Sequence, residues 1–270
     1  MKFAEKLAHA TLNNKSLLCV GLDPDPSLMP EKIGVIEFNK AIIDATAGLV
    51  CAYKPNFAFY EALGIAGLEA LRKTVEHIPP HIPVIADAKR SDIGNTAKAY
   101  AKSIFDYYGF DAVTVNPYLG FDSLEPFINY KDKCVFLLCR TSNPGAVDFQ
   151  SLPCNVPPTP RHLFEIVAEK ASQWNKSGNI GLVVGATYPE ELNIIRQNHP
   201  DMLLLIPGVG TQGGDLETVI RYGINARKEG VIINSSRQVI YASKDKDFAA
   251  AARRVAAGIR DRINTYRDIK

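Results

Sequence analysis

Eight short, apolar, β-rich runs recur along the chain, and each is followed by a longer stretch with helical spacing. The runs are LLCVGLD (17–23), CAYKPN (51–56), PVIADAK (83–89), AVTVNPY (112–118), CVFLLCRT (134–141), IGLVVGAT (180–187), MLLLIPG (202–208) and GVIINSS (230–236). Between them lie helical patterns such as IEFNKAIIDATAGL, AGLEALRKTVEHI, FDSLEPFINY, RHLFEIVAEKASQWNK, PEELNIIRQN and DLETVIRYG, and DFAAAARRVAAGIRDRINTYRD closes the series. This alternation is the pattern of βα units around a parallel sheet. Eight strands with seven connecting helices and a final one predict an α/β fold, a single-domain (β/α)8 TIM barrel over residues 1–270. A chain of this length routinely forms one such barrel. The competing doubly wound sheet places a G-x-G-x-x-G turn after its first strand, whereas the turn here reads GLDPDPSL.

The function classes narrow with charge and cysteine usage. The 31 basic and 29 acidic side chains leave a formal charge of +2, so no net field draws the chain to nucleic acid or to an anionic membrane, and any anion must be held locally. Cys19, Cys51, Cys134, Cys139 and Cys154 form no C-x-x-C pair, and four of them fall in apolar strand-like runs, which reads as reduced core cysteines of a cytoplasmic protein. The opening MKFAEKLAHATLNNKS has no cleavable apolar core, and no apolar run reaches the roughly 18 residues of a membrane span, so secretion and membrane insertion are not expected. The histidines (His9, His77, His81, His162 and His199) lie outside the strand ends without zinc-ligand spacing, so no metal site is expected.

In a barrel the reactive groups stand at the C-terminal ends of the strands and in the loops that follow. Here the strands end in Asp23, in Lys54, in Asp87 and Lys89, in Arg140 and Thr141 followed by Ser142, and in Ser235, Ser236 and Arg237. These polar groups are expected to converge on one mouth. Alternation along the third strand points Asp87 and Lys89 together and turns Ala86 and Ala88 toward the helices. Asp92 falls near the start of the next helix, where acids are favoured, and Ile93, Ala97, Ala101 and Ile104 are expected to form its packing stripe. A bland reading of D-x-K-x-x-D is a surface charge pair plus a helix-start acid. A charged pair that ends the apolar run VIADAK is poorly explained by surface solvation and fits a functional site better.

At the other side of the mouth, PGVGTQGGDLE sets four glycines and Gln212 between the seventh strand and its helix, so backbone N–H groups can approach an anion. NSSR adds hydroxyls and the Arg237 guanidinium, which can form two parallel bonds to phosphate oxygens. Either segment alone could be a flexible turn; the two together match the usual phosphate position of a barrel. The stretch SNPGAVDFQSLPCNVPPTP (142–160) carries no periodic pattern, and a loop of that length is expected to be functional or disordered.

IADAKRSDIGNTA resembles the active-site motif of the orotidine 5′-phosphate decarboxylase family, in which an Asp, a Lys two residues on, an Asp three further, a hydrophobic residue and a Thr recur. YKPNFAFYEALG, RTSNPGA, IPGVGTQGGD and NSSRQVIYA resemble further segments of the longer bacterial form, so the likeness covers nearly the whole chain.

The resemblance implies decarboxylation of orotidine 5′-phosphate to UMP and CO2, the last step of de novo UMP synthesis, with no cofactor. It makes Lys89, Asp87 and Asp92 catalytic, Lys89 stabilising and then protonating the carbanion left at C6. It assigns Gln212 and Arg237 to the substrate phosphate with Pro207 supporting their loop, Asp23 and Lys54 to the ribose hydroxyls, and Ser142 to the pyrimidine. From the residues alone, Lys54 before a proline and Ser142 in SNPG also suit turn and cap positions. Ser236 stands where much of the family has glycine, a place where a backbone contact to the substrate can survive the change. Asp92, Ile93 and Thr96 match residues that reach into the neighbouring subunit's site, which implies a homodimer with shared active sites. A metal-dependent sugar-phosphate lyase of the same superfamily shares D-x-K-x-x-D, but Ile93, Thr96, KPNFAFYE and RTSNPGA favour the nucleotide enzyme. A non-catalytic phosphate sensor would not need the intact Asp87, Lys89, Asp92 and Thr96 set. Half of a bifunctional enzyme would need another domain.

Overall fold

A computed structural model of the chain describes residues 1–157, 159–209 and 215–268. Helix α1 (Phe3–Asn14) precedes β1 (Leu18–Leu22), α2 (Val35–Thr46), β2 (Ala52–Pro55), α3 (Phe57–Glu61), α4 (Gly64–His77), β3 (Ile85–Arg90), α5 (Gly94–Lys102), β4 (Ala112–Val115), α6 (Phe121–Ile128) and β5 (Cys134–Arg140). There follow an antiparallel pair of two-residue strands, β6 (Pro153–Cys154) with β7 (Arg161–His162), then α7 (Leu163–Trp174), β8 (Ile180–Val184), α8 (Pro189–Asn198), β9 (Leu203–Pro207), α9 (Leu216–Gly223), β10 (Val231–Ser235), α10 (Arg237–Ile240) and α11 (Phe248–Asp268).

Leaving the hairpin aside, the strands form one 8-stranded sheet in the order β2-β1-β10-β9-β8-β5-β4-β3, all parallel. Bridges Tyr53↔Val84 and Asn56↔Asp87 join β2 to β3 and close it into a barrel. The eight predicted strands are the eight barrel strands, and the single-domain (β/α)8 architecture stands.

The strand alternation sorts the apolar side chains into two cores. Cys19, Ala52, Ile85, Ala112, Cys134, Phe136, Val183, Leu205 and Ile232 fill the barrel interior, while Val20, Tyr53, Ala86, Val113, Leu137 and Ile233 pack outward against the helices. Phe3 of α1 belongs to the inner core and meets Phe136 edge-on, with ring centroids 6.0 Å apart, so α1 plugs the N-terminal end. The other end is where the inward positions turn polar. Among the described residues no helix is long and apolar enough to cross a membrane.

Two expectations need correction. Arg140 does not join the mouth: the register shifts between Leu138 and Arg140, which turns the guanidinium outward. There it is fully buried, paired with Glu191 and laid over the Tyr188 ring at 3.7 Å. Ile93 does not pack in the α5 stripe; Ala97, Ala101 and Ile104 are buried, but Ile93 precedes the first helical turn with extended backbone and is 58% exposed. The 142–160 loop also has more order than its composition suggests, with a 3-10 turn at Pro144–Asp148 and the β6–β7 hairpin.

Candidate active site

The C-terminal mouth of the barrel opens into a cavity of about 510 Å³, walled by residues from the ends of all eight barrel strands. At its centre is Asp87, which continues the inward face begun by Ile85 and as a side chain is only 11% exposed. Its Oδ2 accepts from Lys54 Nζ at 2.9 Å and its Oδ1 from Lys89 Nζ at 2.5 Å. Thr114, inward on the neighbouring strand β4, donates its hydroxyl to Asp87 Oδ1 at 3.1 Å. One carboxylate thus bridges two ammonium groups from adjacent strands.

The electrostatics follow from that bridge. Burial alone would push the Asp87 carboxyl up, but Lys54 and then Lys89 outweigh it and hold the group well below the usual carboxylate range. For Lys54, burial would pull the ammonium down; Asp87 and Asp23 overcome it and raise the group above its ordinary value.

Lys89 is placed by an unusual backbone. Its φ is +47°, in the left-handed region, which costs a non-glycine residue roughly 1–3 kcal/mol. The β3–β4 register shifts between Ala86 and Arg90, and the Lys89 N–H donates to Thr114 Oγ1 at 3.1 Å instead of continuing the ladder. Thr114 therefore touches both Lys89 and Asp87. The strained turn leaves the Lys89 side chain about half exposed at the mouth while Lys54 stays buried beneath it.

Across the cavity, Pro207, Gly208, Ser236 and Arg237 line the end at β9 and β10. Arg237 is exposed at the start of α10 and makes no ion pair among the described residues. Gln212 lies outside the described residues. Directly after β1, Asp23 accepts from the Ser236 hydroxyl at 2.6 Å. Ser142 reaches the cavity from the loop after β5, and its backbone is crowded against β8: a Cβ at Gly185 would stand 2.7 Å from Ser142 N. Thr187 donates its hydroxyl to the Ser142 carbonyl at 3.2 Å. Just before it, the Gln150 side chain accepts from the Thr141 N–H and donates to the Thr141 hydroxyl, both at 2.8 Å.

Asp23, Lys54, Asp87, Lys89, Ser142, Pro207, Ser236 and Arg237 therefore come together from widely separated parts of the chain. Asp92, Ile93 and Thr96 do not line this cavity. They lie in the segment that follows β3 and in the first turn of α5, where Asp92 Oδ1 accepts from the Ile93 N–H at 2.8 Å and Ile93 and Thr96 are exposed.

Sequence reasoning missed Thr114, Asn56, Gln150 and Asn234, which also face the cavity. Thr114 is two residues from the inward Ala112, so alternation could have found it. Gln150 lies in an aperiodic loop and carried no signal. Among the described residues no group of three or more His, Cys, Asp or Glu is placed to hold a metal ion.

Residues 16–255 match the family model described as orotidine 5′-phosphate decarboxylase / HUMPS family. An orotidine 5′-phosphate decarboxylase of Dehalococcoides mccartyi is 56% identical over 267 residues, covering 99% of both chains. The solved structure of Leishmania donovani OMP decarboxylase is 40% identical, superposes with a TM-score of 0.87 and covers 99% of each chain. Leishmania donovani UMP synthase is 42% identical with a TM-score of 0.88, and the match spans 100% of this chain but 57% of that one. With the motif, the barrel and full-length relatives in agreement, the chain belongs to the orotidine 5′-phosphate decarboxylase / HUMPS family.

Proposed function

We propose that the protein is an orotidine 5′-phosphate decarboxylase, a carboxy-lyase that converts orotidine 5′-phosphate to UMP and CO2 in pyrimidine biosynthesis. The observation that carries this reading is the buried Asp87 carboxylate bridging Lys54 and Lys89 at the cavity wall, in a chain 56% identical to a relative of that name. In this reading residues 1–270 act as one barrel domain.

The reaction's difficulty is the electron pair left on C6 of the pyrimidine when its bond to the carboxylate carbon breaks. In the proposed mechanism CO2 departs, the pair stays on C6, and the Lys89 ammonium stabilises it and transfers a proton from Nζ to C6. The cost of orienting that ammonium is met in the folded chain: the strained backbone at Lys89 and its bond to Asp87 set its position before substrate arrives. Asp87, kept ionised by Lys54, holds Lys89 and opposes the negative charge of the substrate carboxylate. Preorganisation around Lys89 carries more weight than that repulsion.

The remaining roles follow the cavity. Arg237 grips the phosphate together with Gln212, and Pro207 shapes that wall. Asp23 and Lys54 take the ribose hydroxyls, Ser142 the pyrimidine, and Ser236 contributes beside Arg237. Asp92, Ile93 and Thr96 complete the site of a second copy in a homodimer. The exposure of Ile93 and Thr96, with Asp92 half-buried beside them, supports that reading. Five free cysteines, four of them buried, suit a reducing compartment such as the cytoplasm. No cofactor, nucleic acid or membrane enters the scheme.

The test mixes purified protein with orotidine 5′-phosphate, with and without a chelator, and follows pyrimidine absorbance and CO2 release. Equal turnover in both samples is expected; absence of turnover in both would overturn the assignment, and loss on chelation would favour metal-assisted chemistry.

A further inference from the structure

Ser236 stands beside Arg237, but its side chain turns to the neighbouring strand β1. Its Oγ lies 2.6 Å from Asp23 Oδ2 and 3.3 Å from the Gly21 carbonyl oxygen. A hydroxyl has a single proton, and the shorter contact to a charged acceptor is the stronger bond, so the donation goes to Asp23. The approach is possible because residue 21 is glycine: a Cβ there would come within 2.7 Å of Ser236 Cβ.

The other carboxylate oxygen, Asp23 Oδ1, is buried and has no hydrogen-bond partner. A buried acceptor left without a donor is costly, so an orphan in the wall of a binding cavity points to a donor that arrives with the ligand. The backbone of the same residue is pinned as well. Tyr241 donates its hydroxyl to the Asp23 carbonyl at 2.8 Å and accepts from the Asp25 N–H at 2.6 Å. Ser236 and Tyr241 flank α10, the short helix that begins with Arg237. The segment that presents the guanidinium thus also holds both ends of Asp23.

We propose that Ser236 is a positioning residue: its hydroxyl occupies Asp23 Oδ2 and fixes the carboxylate so that Oδ1 accepts a hydrogen bond from a ribose hydroxyl of the nucleotide. The proposal rests on the reading of Asp23 as a ribose-binding residue. It gives the serine at this position a side-chain task that glycine could not perform.

The test measures dissociation constants by calorimetry for UMP, 2′-deoxy-UMP and 3′-deoxy-UMP. The proteins are the wild type, Ser236→Ala, Ser236→Gly, Asp23→Asn and the double variant Ser236→Ala/Asp23→Asn. For UMP, loss of the charge-assisted bond in Ser236→Ala is expected to weaken binding about tenfold. The deoxynucleotide that lacks the hydroxyl held by Asp23 should bind Ser236→Ala and wild type equally, and the double variant should bind UMP no more weakly than Asp23→Asn. Ser236→Gly provides the same readout should Ser236→Ala fold poorly. Wild-type affinity for UMP in both Ser236 variants, or an equal loss for all three nucleotides, would overturn the proposal. Asp23→Asn binding all three as the wild type does would instead remove the ribose role of Asp23, and the proposal with it.

Discussion

Asp87 ties the stability of the mouth to its chemistry. Its folded carboxyl is depressed by Lys54 and Lys89 against the opposing effect of burial, whereas an unfolded aspartate titrates near about pH 4. The unfolded state therefore binds more protons than the folded state as pH falls, and the stability that Asp87 contributes is fully present above about pH 4 and is lost at more acid pH. The stability gap between wild type and Asp87→Asn, followed by urea unfolding, should be widest above about pH 4 and narrow on acidification; a constant gap would contradict the ion bridge. For Lys89→Ala the expected result is a fall in kcat of more than about ten-thousand-fold, because general acid and electrostatic contributions leave together. UMP affinity should stay within about three-fold, since the phosphate and ribose contacts remain. Near-wild-type turnover would remove Lys89 from the chemistry. The thiols give an independent check on the core. Burial pushes Cys19 up to about 12 and raises Cys51, Cys134 and Cys139 as well, and Cys154 alone is partly exposed. An aromatic disulfide reagent should titrate one thiol rapidly in the native protein and the other four only after denaturation.

At the level of elements, the strand runs were legible because the barrel strands are largely apolar on both faces, and several of them end in or run directly into polar residues. Asp87, Lys89, Asp23 and Arg237 could be placed from that rule alone. Arg140 broke it, because a register shift between Leu138 and Arg140 reverses which face the residue takes, and nothing in CVFLLCRT announces the shift. Ile93 broke the helical stripe for a similar reason: the period of α5 begins only after it. Arg196 of α8 was invisible as an organiser, since an arginine in PEELNIIRQN reads as a solvated helix residue. It is buried, and its guanidinium donates to the carbonyls of Gly223, His199, Pro200, Met202 and Gly230, with no carboxylate bonded to it among the described residues. Burial pulls the guanidinium down to about 10, yet it gathers five carbonyls from the segments around α8, α9 and β10, of which His199 and Gly230 also accept from the N–H groups of Met202 and Leu204. Arg196→Met should therefore cost about 3–5 kcal/mol, because buried carbonyls lose a charged donor that joins several segments. Chemical unfolding measures this directly, and a loss below about 1 kcal/mol would show that water replaces the guanidinium.

Over the whole molecule, the barrel leaves an apolar rim beside the mouth. Ile93, Tyr118, Leu119 and Phe121 follow β3 and β4 and are 58%, 81%, 46% and 39% exposed, a grouping that water does not favour in a lone monomer. Asp92 and Thr96 stand on the same rim, outside the cavity that their own chain forms. The proposed dimer accounts for both facts, since a two-fold contact through this rim covers the apolar side chains and carries the polar ones to the second mouth. It also makes a prediction that no single-chain scheme allows. Lys89→Ala disables the site to which a chain contributes its own lysine, and Asp92→Ala disables the site on the other copy. A hybrid of the two variants would then hold one site with both defects and one site with neither. If the subunits are unfolded, mixed in equal amounts and refolded together, half the dimers should be hybrids, so about a quarter of the sites are intact. Activity should rise from near zero in each parent to about a quarter of the wild-type value. Distinct affinity tags on the two variants report whether hybrids have formed. Hybrids that form yet stay as inactive as their parents would mean that Asp92 serves its own chain's site or none.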